Sequence, residues 1–228
     1  MLLLSLMLLL FQKPIDGFQA RMFQTMPYRL FIPTSYEKDH KYPLILWLHG
    51  AGSIGNDNLK QISGASLRGT HTWIAPQVQA KYPAFVLAPQ SKSGAWTTDF
   101  STVLELLKSV EEEFNIDTAR IYVAGQSMGG FGTWHFITAR PDLFAAAIPL
   151  CGGGDVTRAR VIAQMPIWAF HGEADPTVPV TESRNMIEAI RKAGGNPRYT
   201  EYKNVGHEVW FKTFQEKELV DWLFAQHK

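Results

Sequence analysis

The sequence predicts an α/β fold: one mostly parallel central sheet with helices on both faces and an antiparallel hairpin leading into it. Three observations carry this reading. Short apolar, β-branched runs alternate with longer stretches whose apolar residues recur at helical spacing. Several of those runs lack the in–out alternation of a half-exposed strand, as strands covered on both faces do. The 228 residues, 46% of them hydrophobic, suffice for one sizeable core, and no internal repeat, low-complexity tract or linker divides them. One domain over residues 17–228 is expected, after an apolar segment at 1–16.

Residues 17–23 and 27–32 read as the hairpin, joined by a turn at Gln24-Thr25-Met26. Tyr28, Leu30 and Ile32 alternate with Arg29 and Phe31, the pattern of a half-solvated edge. Residues 43–48 are continuously apolar and read as a central strand ending in His49-Gly50-Ala51-Gly52. Residues 59–75 show no clear pattern and leave room for a short helix, and 85–88 form the next strand. Val103, Leu106, Leu107, Val110 and Phe114 make a helical stripe over 102–114. Asp117 and Thr118 turn the chain into the strand 121–124. Further strands are expected at 145–150, 167–170 and 198–202. A short helix is expected at 156–164 and an amphipathic one at 181–193, closed by Gly194-Gly195. A last helix covers 214–224.

The 22 basic and 21 acidic residues give no electrostatic footing for nucleic acid or an anionic membrane surface. Cys151 is the only cysteine, so no intrachain disulfide can form, and it reads as a small buried hydrophobe. Residues 1–11 are almost all Leu and Met, too short a run to span a bilayer as a helix. Their length suits the apolar part of an export signal, although no Lys or Arg precedes them and no small-residue cleavage site follows. A truncated signal, a signal from a misplaced start and an apolar segment docked on the domain all remain open. The expectation leans to a secreted or periplasmic protein, with the cytoplasm as the alternative.

Gly125-Gln126-Ser127-Met128-Gly129 fits G-x-S-x-G and falls between a predicted strand and a predicted helix. In that context the motif is a sharp turn that presents the serine hydroxyl above the strand ends. A serine hydroxyl needs a base to take its proton, and the base needs a group to orient it. In parallel sheets such groups gather at the C-terminal ends of the strands. After the strand 167–170 comes His171-Gly172-Glu173-Ala174-Asp175, stiffened by Pro176 and Pro179; after the last strand comes Gly206-His207. Asp175 is the candidate orienter, with a helix-capping role for it, or Glu173 in its place, as the alternatives. His207 is the candidate base, a solvated loop histidine being the alternative. His49 and His171 precede glycines at strand ends, where a ring commonly bonds neighbouring loops. His135 reads as packed or superficial; His40, His71 and His227 fit no pattern, though His71 could reach the cleft. Backbone N–H groups of Met128 and Ala51 are placed to meet negative charge on a reacting oxygen.

Tyr42 to Gly52, Gly125 to Trp134, Phe144 to Gly154, the Asp175 loop and Gly206 to Trp210 together resemble α/β-hydrolases of the serine carboxylesterase type. The group is that of dienelactone-hydrolase-like and prolyl-oligopeptidase-like esterases, nearest its feruloyl- and depolymerase-type members. The resemblance implies Ser127 as nucleophile, His207 as general base and then acid, Asp175 as orienter, and Met128 and Ala51 as oxyanion-hole donors. It implies no metal and no cofactor. The substrate would be a small or polymer-linked ester carrying a short acyl or aryl group, and the protein a monomer or small homo-oligomer. No β-propeller is seen and the nucleophile is Ser rather than Cys, so neither oligopeptide cleavage nor a true dienelactone hydrolase is expected; a feruloyl- or acetyl-type esterase of decorated polysaccharide and a peptidase acting on small amides are the alternatives. The span between the strands 145–150 and 167–170 is too short for a large lid, so an open cleft is expected. Trp73, Trp96 and Trp210 are candidates for its walls, with core packing as the alternative for the first two.

Overall fold

The computed structural model describes residues 17–228. The apolar segment expected at 1–16 lies outside them. The hairpin strands are β1 (Phe18–Phe23) and β2 (Met26–Phe31), and the run after Lys41 is β3 (Tyr42–Leu48). Three short 3-10 turns lead to α1 (Leu67–Ile74), then α2 (Pro76–Lys81) and β4 (Phe85–Pro89). α3 (Phe100–Glu113), β5 (Ile116–Gln126), α4 (Met128–Ala139) and β6 (Ala146–Leu150) follow. A 3-10 helix over Val156–Ile162 precedes β7 (Trp168–Gly172), α5 (Thr181–Lys192), β8 (Arg198–Tyr202), α6 (Trp210–Thr213) and α7 (Leu219–Phe224). The eight strands form one sheet in the order β1-β2-β4-β3-β5-β6-β7-β8. β2 runs antiparallel to both its neighbours, and the pairs from β4 through to β8 are parallel.

β3 explains why no alternation is visible in its sequence. Leu44, Leu46 and Leu48 enter one core, with Val103, Leu106 and Leu107 of α3, Trp134 and Ile137 of α4 and Ile187 of α5. Ile45 and Trp47 enter a second core on the opposite face, with Trp73 of α1, Trp210 of α6 and Leu223 of α7. Both faces are covered, so every position had to be apolar. α5 ends where expected: Gly194 takes φ +85°, its N–H donates to Arg191 and that of Gly195 to Ile190, the paired bonds of a Schellman cap.

Four details differ from expectation. β2 is not a half-solvated edge: it lies between β1 and β4, and all six of its residues are buried. Arg29, which mimicked a solvent-facing position, is buried too, its Nε donating to the Asn58 carbonyl at 2.5 Å. Asp117 and Thr118 belong to β5, at an irregularity of its register with β3. The closing helix is two, α6 and α7, because Phe214 packs edge-on against Trp47 and Trp73 and the chain turns after it. α2 went unread although Pro76 stands at its first turn, where the missing N–H costs nothing.

Candidate active site

β5 lies in the middle of the sheet, between β3 and β6, and ends at Gln126. The next residue, Ser127, has φ 55° and ψ −119°, and α4 starts at Met128. A non-glycine residue so placed is strained by on the order of 1–3 kcal/mol. The turn is held by the Ser127 N–H donating to the Leu150 carbonyl at 2.9 Å and the Phe131 N–H donating to the Ser127 carbonyl at 3.0 Å. Gly129 is required there, because a Cβ would sit inside the Leu48 carbonyl at the end of β3.

The loops after β7 and β8 return to this turn. Ser127 Oγ lies 2.8 Å from His207 Nε2, and His207 Nδ1 lies 2.7 Å from Asp175 Oδ2. A carboxylate only accepts, so Nδ1 carries the proton and Nε2 is left to accept from the hydroxyl. The Asp175 side chain is fully buried, and its Oδ1 accepts the N–H groups of Thr177 at 2.8 Å and Val178 at 2.9 Å. Burial alone would push this carboxyl up; the bonds from His207, Val178 and Thr177 outweigh it and hold the group below the usual carboxylate range. The arrangement can draw the proton from Ser127 and stabilise the imidazolium that results. Glu173 is not part of it: its carboxylate accepts from the Asn204 N–H, at the surface.

The loop after β3 approaches from the other side. Met128 and Ala51 occupy the first positions of α4 and of the 3-10 turn Ala51–Ser53, where an N–H finds no acceptor within its own helix. His49 fixes this loop. Its Nδ1 donates to the Gly50 carbonyl at 2.7 Å, and its Nε2 accepts the Ser91 N–H at 3.0 Å. The ring is wholly buried, and burial lowers its pKa to about 4, so it is neutral at pH 7. His171, at the end of β7, likewise bonds the following loop, its Nε2 donating to the Val178 carbonyl at 3.0 Å, so both strand-end histidines bond loops.

The three tryptophans fare differently. Trp73 does not line a cleft: it is fully buried on the α1 side of the sheet, against Phe214 and Phe224. Trp96 is also buried and is not a wall; its Nε1 donates to the His49 carbonyl at 3.0 Å and its ring meets the His49 ring. Trp210 stands edge-on to the His207 ring at 5.6 Å, yet only 4% of it is exposed, so it backs the imidazole rather than offering a free face. Among the described residues, the exposed phenylalanines are Phe131, one turn beyond Ser127, and Phe211, beside Trp210. The i+4 spacing of Phe131 from Ser127 was the readable signal for the first. His71 bonds Thr70 Oγ1 at 3.0 Å and lies near Phe18. Between β6 and β7 the structure has one 3-10 helix, as the short span implied. Among the described residues, Cys151, His171 and Asp175 form one group of potential metal donors, each already engaged in hydrogen bonds.

A family model described as "Putative esterase" matches residues 19–188. The chain belongs to this esterase family. A solved structure described as a thermostable esterase is 41% identical and superposes with a TM-score of 0.89 over 94% of this chain and 64% of that one. A protein of Aspergillus niger described as a probable feruloyl esterase C is 28% identical over 195 residues, 82% of this chain and 68% of its own length. A Neocallimastix patriciarum protein described as a bifunctional acetylxylan esterase/xylanase is 25% identical over 155 residues, 65% of this chain and 22% of its own length. The esterase chain thus spans less than two thirds of the first and last of these. Its sheet order and helices are those of the α/β-hydrolase fold. No helix among the described residues is long and apolar enough to cross a membrane.

Proposed function

We propose that this esterase is a serine carboxylesterase that hydrolyses short-chain acyl or aryl esters through an acyl-enzyme on Ser127. The observation that carries the proposal is the unbroken pair of hydrogen bonds from Ser127 Oγ through His207 to Asp175, at 2.8 and 2.7 Å. His207 takes the hydroxyl proton as Oγ attacks the ester carbonyl, then gives it to the leaving alcohol; a water activated by the same ring releases the acid. Met128 and Ala51 N–H groups bind the oxyanion, each worth roughly 3–4 kcal/mol of transition-state stabilisation. The exposed rings of Phe131 and Phe211 are the surfaces we assign to the acyl or aryl group.

The relatives described as feruloyl and acetylxylan esterases favour a narrower version, in which the ester is displayed on a polysaccharide. An open rim suits a polymer-linked group better than a sealed tunnel would. Turnover of p-nitrophenyl acetate or butyrate tests the broad proposal, and Ser127→Ala should lower kcat by roughly 10⁴–10⁶-fold. Unchanged turnover in that variant would remove the mechanism. A panel with feruloyl and acetylated-sugar esters tests the narrower version. Paired ester and amide substrates of one acyl group test the rival amidase reading, which a rate ratio near unity would favour.

A further inference from the structure

A second histidine stands behind the proposed catalytic aspartate. His171 lies in β7, four residues before Asp175, and no part of it reaches solvent. Its Nε2 is 3.0 Å from the Val178 carbonyl oxygen and 3.4 Å from Asp175 Oδ2, the same oxygen that His207 Nδ1 meets at 2.7 Å. Both neighbours only accept, so Nε2 carries a proton. Its Nδ1 lies 2.7 Å from Ser183 Oγ, at the start of α5, and that hydroxyl is also 2.9 Å from the Gly152 carbonyl. The ring is therefore fixed at both nitrogens, between the loop of Asp175 and the first turn of a helix.

We propose that His171 is a positioning residue for the Asp175 carboxylate, and so for the hydrolysis assigned to Ser127, on which this inference rests. Its Nε2–H ties down Val178, whose own N–H holds Oδ1, and it turns a donor towards Oδ2. Without it the Val178 carbonyl loses that bond, the Asp175–Val178 loop relaxes, and the carboxylate can rotate away from His207. A carboxylate turned away no longer stabilises the His207 imidazolium, so the acidic limb of the rate profile moves to lower pH. The other titratable groups facing His171 are His207, Glu201 on β8 and Cys151 at the end of β6. Glu201 is held by Arg184 and Tyr199, and the Cys151 thiol donates to the His207 carbonyl at 3.2 Å; both contacts survive a change at 171. Burial lowers the pKa of His171 itself, in keeping with a neutral ring; the single Ser183 hydroxyl proton then lies between the Gly152 carbonyl and His171 Nδ1.

The test compares wild type with His171→Phe, which fills the space without a donor, His171→Gln, whose amide reaches the place of Nε2, and His171→Asn, whose amide reaches only that of Nδ1. kcat, KM and the pH dependence of kcat/KM are measured on p-nitrophenyl butyrate, with thermal melts to confirm folding. His171→Phe and His171→Asn should lose roughly 10- to 100-fold in kcat, with KM changed far less, and should show the downward move of the acidic limb. His171→Gln should recover most of both. If His171→Phe does not fold, the Gln and Asn variants decide. Equal kcat and equal profiles in those two overturn the proposal, as does a folded Phe variant within about twofold of wild type on an unmoved profile. A wild-type protein that neither hydrolyses the ester nor is labelled at Ser127 by a fluorophosphonate would instead sink the esterase reading, and this inference with it.

Discussion

Acidification should destabilise this chain through His49 by an amount that follows from its surroundings. The ring is enclosed, its Nδ1 is committed to the Gly50 carbonyl, and its Nε2 faces the Ser91 N–H. A second proton would have to enter at Nε2, donor against donor. Burial is the largest influence on the group, and the nearby carboxylates of Asp99 and Asp57 only partly offset it, leaving a pKa of about 4 against 6.5 in the unfolded chain. Below pH 6.5 the unfolded chain therefore binds this proton and the folded chain does not. Stability contributed here is complete above pH 6.5, falls as pH falls, and stops falling once the folded ring also titrates near 4. The full difference is on the order of 3 kcal/mol, of which about 2 kcal/mol should be lost between pH 7 and pH 4.5.

Carboxylates titrate in the same range, so the measurement must isolate His49. His49→Gln keeps an acceptor for Ser91 and cannot gain a proton. Urea unfolding of wild type and variant at pH 7 and pH 4.5 cancels every other group, His171 included. Whatever the variant costs at pH 7, the gap in unfolding free energy should shift by about 2 kcal/mol in favour of the variant at pH 4.5. A gap independent of pH would show that the ring titrates normally, and the hydrogen-bonding scheme of the loop before Ala51 would be wrong.

Trp73→Ala should remove roughly 3–5 kcal/mol of folding stability, by the cavity it leaves against Phe214 and Phe224. It should leave KM for small esters almost unchanged; a raised KM with an undiminished melting temperature would return Trp73 to the cleft wall. Gly129→Ala should cost roughly 3 kcal/mol or yield insoluble protein, since the added methyl meets the Leu48 carbonyl. A soluble variant within about 1 kcal/mol of wild type by urea unfolding would contradict the close approach of α4 to β3.

What could be read from the sequence was what is decided locally or by strand order. The turn at Ser127 is set by the glycines beside it, and the helix end at Gly194 by a backbone conformation. Asp175 and His207 could be proposed as partners because each follows a strand of a parallel sheet, whose C-terminal ends share one rim. Arg29 was misread because a charged residue was taken to need solvent, whereas the Asn58 carbonyl, 29 residues away, receives its Nε–H. Trp73 and Trp96 were misplaced because an indole next to a strand end carries no mark of which face it packs on. The break at Phe214 depends on Trp47 and Trp73, neither of which a helical pattern over 214–224 contains. His171 was readable as a loop-bonding ring but not as a neighbour of the Asp175 carboxylate, since that depends on how the Val178 segment folds back.

Ser127 at φ 55° and Cys151 at φ 46°, the residues directly after β5 and β6, have left-handed backbones. They end adjacent strands and are linked: the Ser127 N–H donates to the Leu150 carbonyl, and the Cys151 N–H donates to the Phe170 carbonyl of the next strand. The Cys151 thiol continues the series by donating to the His207 carbonyl. Strain of this kind persists only where surrounding contacts overdetermine it. Here the contacts that hold the strain are those that set the positions of the hydroxyl and the imidazole. A substitution that relaxed residue 151 would therefore loosen His207 through its backbone, although the thiol, whose pKa burial drives well up, has no role in the proposed hydrolysis. The stability spent at the strand ends and the precision of the Ser127–His207 pair are two consequences of one packed rim.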